Sequence, residues 1–296
     1  MIPKIYLRRG KEESLLRRHP WIFSGAIDHI EAEEESDFAE GALVEVYTRP
    51  GEFIAQGHYQ VGSIAVRVLT FEREEIDQAW WNRRIAVAHD VRRTLGLTDN
   101  PDTNCYRLVH GEGDALPGLV VDIYGTAAVV QCHSVGMYHA RMEIAKAIRA
   151  TYGDKITAIY DKSSQTVPFN ARLGAVDGYL WGSSDHSAHV VTENGEKFLV
   201  NWEQGQKTGF FLDQRENRQL HRHPKGVANQ LGNGLMIPVR GTQIALEQAA
   251  DPLQKANGNG PVQPHFLMEL LNLHLIGVHA QDNQRRISRQ NLKHRK

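Results

Sequence analysis

The sequence predicts a mixed α/β protein: a small β-rich module in front, an α/β module in the middle, and a short third piece that opens with a hairpin. Three observations predict it. Residues 43–47 and 64–69 have strand composition with partial alternation of apolar and polar positions. Between residues 118 and 160, strand-like and helix-like runs alternate. After Arg218 the aromatic residues nearly vanish: of 9 Phe, 5 Trp and 9 Tyr, only Phe266 follows it.

In the front module, expected over 1–72, Ser14 to Arg18 reads as a short helix. It stops before Pro20 because the residue preceding proline disfavours helical backbone. Trp21 and Phe23 flank Ile22 in a strand-like run, share a face, and are assigned to the core rather than to stacking. Arg49-Pro50-Gly51-Glu52 is a turn signal between two strand-like runs.

The middle module is expected over 73–188. A helix over 74–96 places Ile76, Trp80, Arg83/Arg84, Val87 and Val91 at helical spacing, with Gly96 as its stop. Residues 118–132 form a strand pair hinged at Tyr124-Gly125-Thr126, followed by a helix over 136–151 and a strand from Ile156 to Tyr160. Asn194-Gly195 then marks a tight hairpin within 189–202.

With 41% hydrophobic and 23% charged residues, the 296-residue chain has the balance of a soluble globular protein. No run approaches the roughly 18 to 20 apolar residues of a membrane span. The start has basic residues but no apolar core, so no secretory signal is expected. Two cysteines, Cys105 and Cys132, cannot build a disulfide framework, and a cytoplasmic location is the expectation. The net charge of −1 hides an asymmetry: residues 219–296 carry ten Lys+Arg against four Asp+Glu, a net of +6, which leaves −7 for 1–218. Near the front, Lys4, Arg8, Arg9, Lys11, Arg17 and Arg18 gather beside His19 and Trp21. Lys4, Arg8, Arg9, Arg17 and Arg18 are candidates for contact with an anionic partner. The bland alternative is a solvated face.

Three longer runs carry a resemblance: HPWIFSGAI (19–27), RLVHGEGDALPGLVVDIYG (107–125) and GQKTGFFLDQRENR (205–218). In this order and spacing, residues 2–218 resemble the PUA-domain-containing, S-adenosylmethionine-dependent methyltransferases that modify cytosine at carbon 5 in large-subunit ribosomal RNA. The resemblance implies an RNA-binding PUA pseudo-barrel, a linking α/β domain, and the start of a Rossmann-like methyltransferase domain at 189–218. If the front module binds RNA as the resemblance implies, Lys4, Arg8, Arg9, Arg17 and Arg18 are its candidates for RNA phosphate. It implies S-adenosyl-L-methionine as cofactor, with Thr208, Gly209, Phe210, Phe211 and Asp213 as the residues lining its pocket. In the same run, Asp213 and Arg215 either pair to fix the loop or touch a ligand, and Leu212 and one of the two Phe belong to the core. In the second run, Arg107, His110, Glu112 and Asp114 either shape a tight loop and edge strand or face the cleft and RNA.

The resemblance stops at Arg218. An apolar strand ending in a Gly-rich turn, an acidic residue for the ribose and a later cysteine are expected there, and none is found. No catalytic residue is identified and no metal site is expected. Residues 219–296 read as an aberrant, poorly ordered tail, either a natural basic tail or out-of-frame sequence. Methylation of ribosomal RNA is thus the expected lineage, with this chain inactive as it stands. The alternative is an RNA-binding PUA protein without catalysis, and a third reading is a structural or homodimer-forming fragment.

Overall fold

The computed structural model describes residues 2–168, 173–184 and 189–220, all within the unit spanning Met1–Arg222. The expectation of a poorly ordered tail concerns residues 219–296, all of which but 219 and 220 lie outside the described residues.

The fold is mixed α/β, as the strand and helix patterns predict. The first sheet has six strands: β1 (Lys4–Leu7), β2 (Trp21–Phe23), β3 (Ile27–Glu31), β4 (Leu43–Tyr47), β5 (Phe53–Tyr59) and β6 (Ile64–Thr70). Their order is β2-β6-β5-β4-β1-β3, with β1 parallel to β4 and the other pairings antiparallel. Alternation sets the inside: Ile5, Leu7, Val44, Val46, Val66 and Val68 meet Leu15 and Ile22 in one core. Leu15 comes from a single-turn helix, α1 (Glu13–Leu16), whose exposed Leu16 points the other way.

Two of the sequence expectations for β2 are reversed. Ile22 is the core residue, 3% exposed, whereas Phe23 is 50% exposed and Trp21 is half-buried. Trp21 and Phe23 do share a face, but it is the outer one. A three-residue strand is too short for its pattern to say which face is buried.

The second sheet is β11-β10-β9-β8-β7, from β7 (Cys105–His110), β8 (Leu119–Tyr124), β9 (Ala127–Cys132), β10 (Ala158–Asp161) and β11 (Gly178–Trp181). Only β9 and β10 run parallel, and the crossover between them contains helices α3 (Val135–His139) and α4 (Arg141–Tyr152). The single helix expected over 136–151 is therefore broken at Ala140. The long helix α2 (Gln78–Thr94) starts at Asp77, whose carboxylate accepts from the Trp80 backbone N–H at 2.8 Å. Its buried face differs from the expected stripe. Trp80, Trp81, Ile85, Ala88 and Arg92 are inside, while Val87 and Val91 are 56% and 45% exposed. Arg92 reads as polar, so the pattern hides the true face. Its guanidinium is paired with the Asp114 carboxylate and donates to the Arg107 carbonyl at 2.8 Å.

The hairpin forms as expected, from β12 (His189–Glu193) and β13 (Glu196–Val200). Its turn residues Asn194 and Gly195 both have positive φ, 51° and 81°, as a tight primed turn requires. A last helix, α5 (Arg215–Leu220), ends the described chain.

Candidate functional site: a basic front and a buttressed loop

Two regions hold the residues that the sequence singles out. The first is the front of the six-stranded sheet. Arg8, Arg9, Lys11, Arg17 and Arg18 are all exposed and lie on or beside α1 and the end of β1. Arg18 lays its guanidinium over the Phe71 ring, 4.8 Å from the centroid, and faces Glu72 at 3.6 Å. Lys4 is set apart from this group. It is half-buried on β1, in register with Glu31 and Glu45, with its ammonium 5.7 Å from the Tyr47 centroid. Of the five phosphate candidates, Arg8, Arg9, Arg17 and Arg18 are exposed and Lys4 is half-buried.

The second region is the loop of GQKTGFFLDQRENR. Its turn is tight: the Gly205 N–H donates to the Asn201 carbonyl at 3.0 Å, and the Gly209 N–H to the Gln206 carbonyl at 2.8 Å. A side chain does not fit at Gly209, where φ is 112° and a Cβ would lie 2.8 Å from the Asn201 oxygen. The Lys162 ammonium bridges the carbonyls of Trp202 and Gly205 and closes the turn.

Thr208 is 1% exposed. Its hydroxyl donates to Asp122 Oδ2 at 2.6 Å and meets the Tyr124 hydroxyl at 2.8 Å. Asp122 is fully buried and is gripped by Arg107 Nε at 2.9 Å and Nη2 at 3.1 Å. A buried carboxylate needs such donors, since desolvation alone would expel its charge. Arg107 in turn has Nη1 3.2 Å from His110 Nδ1. The 107–125 run therefore does shape an edge strand and turn, and it also buttresses the 205–218 loop.

Phe210 is 2% exposed, packed against Phe198 at 5.4 Å between centroids and capped by the Arg218 guanidinium at 4.3 Å. The Asp213–Arg215 pair allowed by the sequence is replaced by another. Arg215 and Arg218 both reach the buried Glu193, Arg215 at 3.2 Å and Arg218 at 2.8 and 2.9 Å. Nothing in the sequence points to Glu193, because its partners lie more than 20 residues away. Asp213 stays exposed; Gly209 and Phe211 are half-buried, with Lys207 Nζ 4.7 Å from the Phe211 centroid. The five cofactor candidates thus divide. Thr208 and Phe210 have their polar atom and ring committed inside the fold; Gly209, Phe211 and Asp213 keep a face toward the surface.

Both cysteines are fully buried. Burial pushes each thiol up to about 12, helped at Cys105 by Glu193 and at Cys132 by Asp161. Among the described residues, no helix is long and apolar enough to cross a membrane.

Residues 5–71 match the family described as a PUA-like domain. A protein of Klebsiella pneumoniae strain 342 named ribosomal RNA large subunit methyltransferase I is 38% identical over 224 residues, covering 75% of this chain and 54% of that protein. The Salmonella typhi protein of the same name is 36% identical over 230 residues, covering 77% and 55%. The chain thus spans about half the length of the curated relatives it matches. A solved structure described as a putative SAM-dependent methyltransferase from Streptococcus mutans superposes with a TM-score of 0.60 at 22% identity, over 74% of this chain and 54% of that one. Another, a putative methyltransferase complexed with SAH, also gives 0.60 at 22% identity, over 74% and 52%. At that identity the likeness is one of fold.

Proposed function

We propose that this chain acts on large-subunit ribosomal RNA, its front module holding the RNA for S-adenosylmethionine-dependent methylation at carbon 5 of a cytosine. One observation carries most of this reading: residues 5–71, which match a PUA-like domain, also bear the exposed cluster Arg8, Arg9, Lys11, Arg17 and Arg18. The names of the relatives supply the substrate class and the methyl donor. Residues 1–72 are then the RNA-holding domain, 73–188 the linking α/β domain and 189–218 the opening of a methyltransferase domain.

We further propose that this 296-residue chain holds RNA but does not transfer the methyl group. Carbon-5 chemistry needs a thiolate that adds to the neighbouring ring carbon. Cys105 and Cys132 are the only thiols in the sequence, and both are buried with pKa values pushed up to about 12. Such a thiol carries almost no thiolate at neutral pH. Thr208 and Phe210 do not fit as cofactor ligands, because Asp122, Tyr124, Phe198 and Arg218 already occupy them. Phe211 and Asp213 are the residues of this loop that would meet a methyl donor.

Equilibrium binding to a large-subunit ribosomal RNA fragment tests the first part. Affinity should fall steeply between about 50 and 200 mM salt, as counterion release requires; absent or salt-insensitive binding overturns it. Calorimetry with S-adenosylmethionine tests the second. We expect no heat at micromolar concentrations, and micromolar binding would contradict the claim.

A further inference from the structure

The outer face of β2 is built unlike a solvated edge. β2 is the terminal strand of its sheet, paired on one side only, to β6. Along it, His19, Trp21 and Phe23 form a continuous ring surface, with centroids 5.9 Å apart for His19–Trp21, 6.3 Å for His19–Phe23 and 6.5 Å for Trp21–Phe23. The planes of Trp21 and Phe23 stand at 90°. The indole is held in place: Trp21 Nε1 donates to Glu112 Oε1 at 2.8 Å, a bond between the front module and the turn after β7. His19 is anchored too, its Nδ1 3.2 Å from the Trp21 backbone N–H.

Beside these rings lies a cavity of about 310 Å³, lined by Lys11, Leu15, Trp21, Phe23, Gly25 and Ala26. Its size sits at the lower end of small-ligand sites. Lys11 is the charged residue of the lining; Arg8, Arg9, Arg17 and Arg18 are exposed in the same stretch of chain, residues 8–18, which also holds Glu12 and Glu13, while Glu112 bonds the indole and Glu72 faces Arg18. An exposed ring face such as that of Phe23 accepts a flat apolar partner by stacking, and the nearby cations favour a partner that carries negative charge. A nucleotide has both properties. A paired base hides its faces in the helix stack, whereas a looped-out or unpaired base offers one for stacking on an aromatic ring.

We propose that Trp21 and Phe23 form a stacking platform for an unpaired RNA base, with Lys11, Arg17 and Arg18 holding the adjoining phosphates. This rests on the reading that the front module binds RNA, and adds that single-stranded or looped RNA is the preferred form. The Glu112 hydrogen bond keeps the indole presented before RNA arrives, so little side-chain freedom is lost on binding.

The test uses the full chain with two probes: a hairpin RNA carrying 2-aminopurine in its loop, and a blunt duplex RNA of the same composition. Phe23→Ala should weaken hairpin binding by about 5- to 150-fold and leave duplex binding unchanged. The 2-aminopurine fluorescence should be quenched by the parent chain and by Phe23→Tyr, and not by Phe23→Ala. Phe23 is half exposed, so Phe23→Ala should keep the parent Tm. Charge reversal at Arg17 and Arg18 should weaken both probes. Weakening by charge reversal with no effect of Phe23→Ala overturns the platform and leaves RNA binding standing. Failure of both RNAs to bind at low salt overturns RNA binding and the platform with it. A concentration-dependent dimer that Phe23→Ala abolishes, with hairpin binding unchanged, assigns the face to a second copy and overturns the proposal.

Discussion

At the scale of single residues, His58 is the clearest titrating group. Its ring is 8% exposed and lies against Gly136 of α3, where a Cβ would be 2.2 Å from Cγ. Its Nδ1 has no hydrogen-bond partner among the described residues. Burial, with nearby His139 and Arg67 adding to it, lowers the imidazole from 6.5 to about 4. Between those values the unfolded chain takes up a proton that the folded chain refuses, so stability falls as the pH drops through that window. The loss should approach about 3 kcal/mol below pH 4. His58→Phe keeps the ring and removes the titration, so its Tm should decline less between pH 7 and 4; an equal decline refutes this role. Thr208 is a second case. Thr208→Val removes a donor from the buried Asp122 carboxylate and should cost about 1 to 3 kcal/mol in urea unfolding. Neither role was legible in the sequence. His58 sits in a strand with no local partner, and Thr208 meets Asp122 and Tyr124 across more than 80 residues of chain.

Among the elements, turn chemistry read well and helix faces read poorly. Asn194-Gly195 predicts its hairpin because a two-residue turn has few backbone solutions, and glycine and asparagine meet them locally. The strand pair hinged at Tyr124-Gly125-Thr126 is as expected for the same reason. In α2 the spacing supports more than one stripe, and the true one includes Arg92, whose burial depends on the distant Asp114. Strand β7 was legible only as an edge beside its Gly-rich turn. The corrected face of α2 makes a paired prediction. Ile85→Ala, at a position with no exposure, should cost about 2 to 5 kcal/mol. Val87→Ala should change stability by less than about 0.5 kcal/mol. Denaturant midpoints for the two variants decide it, and equal losses would restore the stripe through Val87.

Across the whole described unit, the hairpin and the loop are fastened to the five-stranded sheet by polar groups rather than by a shared sheet. Thr192 N–H donates to Asn104 Oδ1 at 2.7 Å, and Gly195 N–H to the Asp102 carbonyl at 2.8 Å. Glu193, 2% exposed, collects Arg215 and Arg218 at the same joint. Removing one partner of a buried pair leaves the other charge uncompensated, so Glu193→Gln should cost about 3 to 5 kcal/mol. It should also speed proteolytic cleavage between residues 189 and 218 ahead of the front module. Unchanged stability and cleavage would mean that the arginines are satisfied by other groups. This joint shows the limit of reading a molecule by its runs. Each run predicts its own element, but the partners that join the runs are set by where the chain returns, and one sequence does not encode that distance visibly.

The seclusion of Cys105 and Cys132 has a practical corollary. The folded chain offers maleimides and Ellman's reagent no accessible sulphur, so two thiols should react only after denaturation. A cysteine introduced at Phe23 would be a unique handle, and a fluorophore attached there would report on the β2 edge without deleting either native thiol.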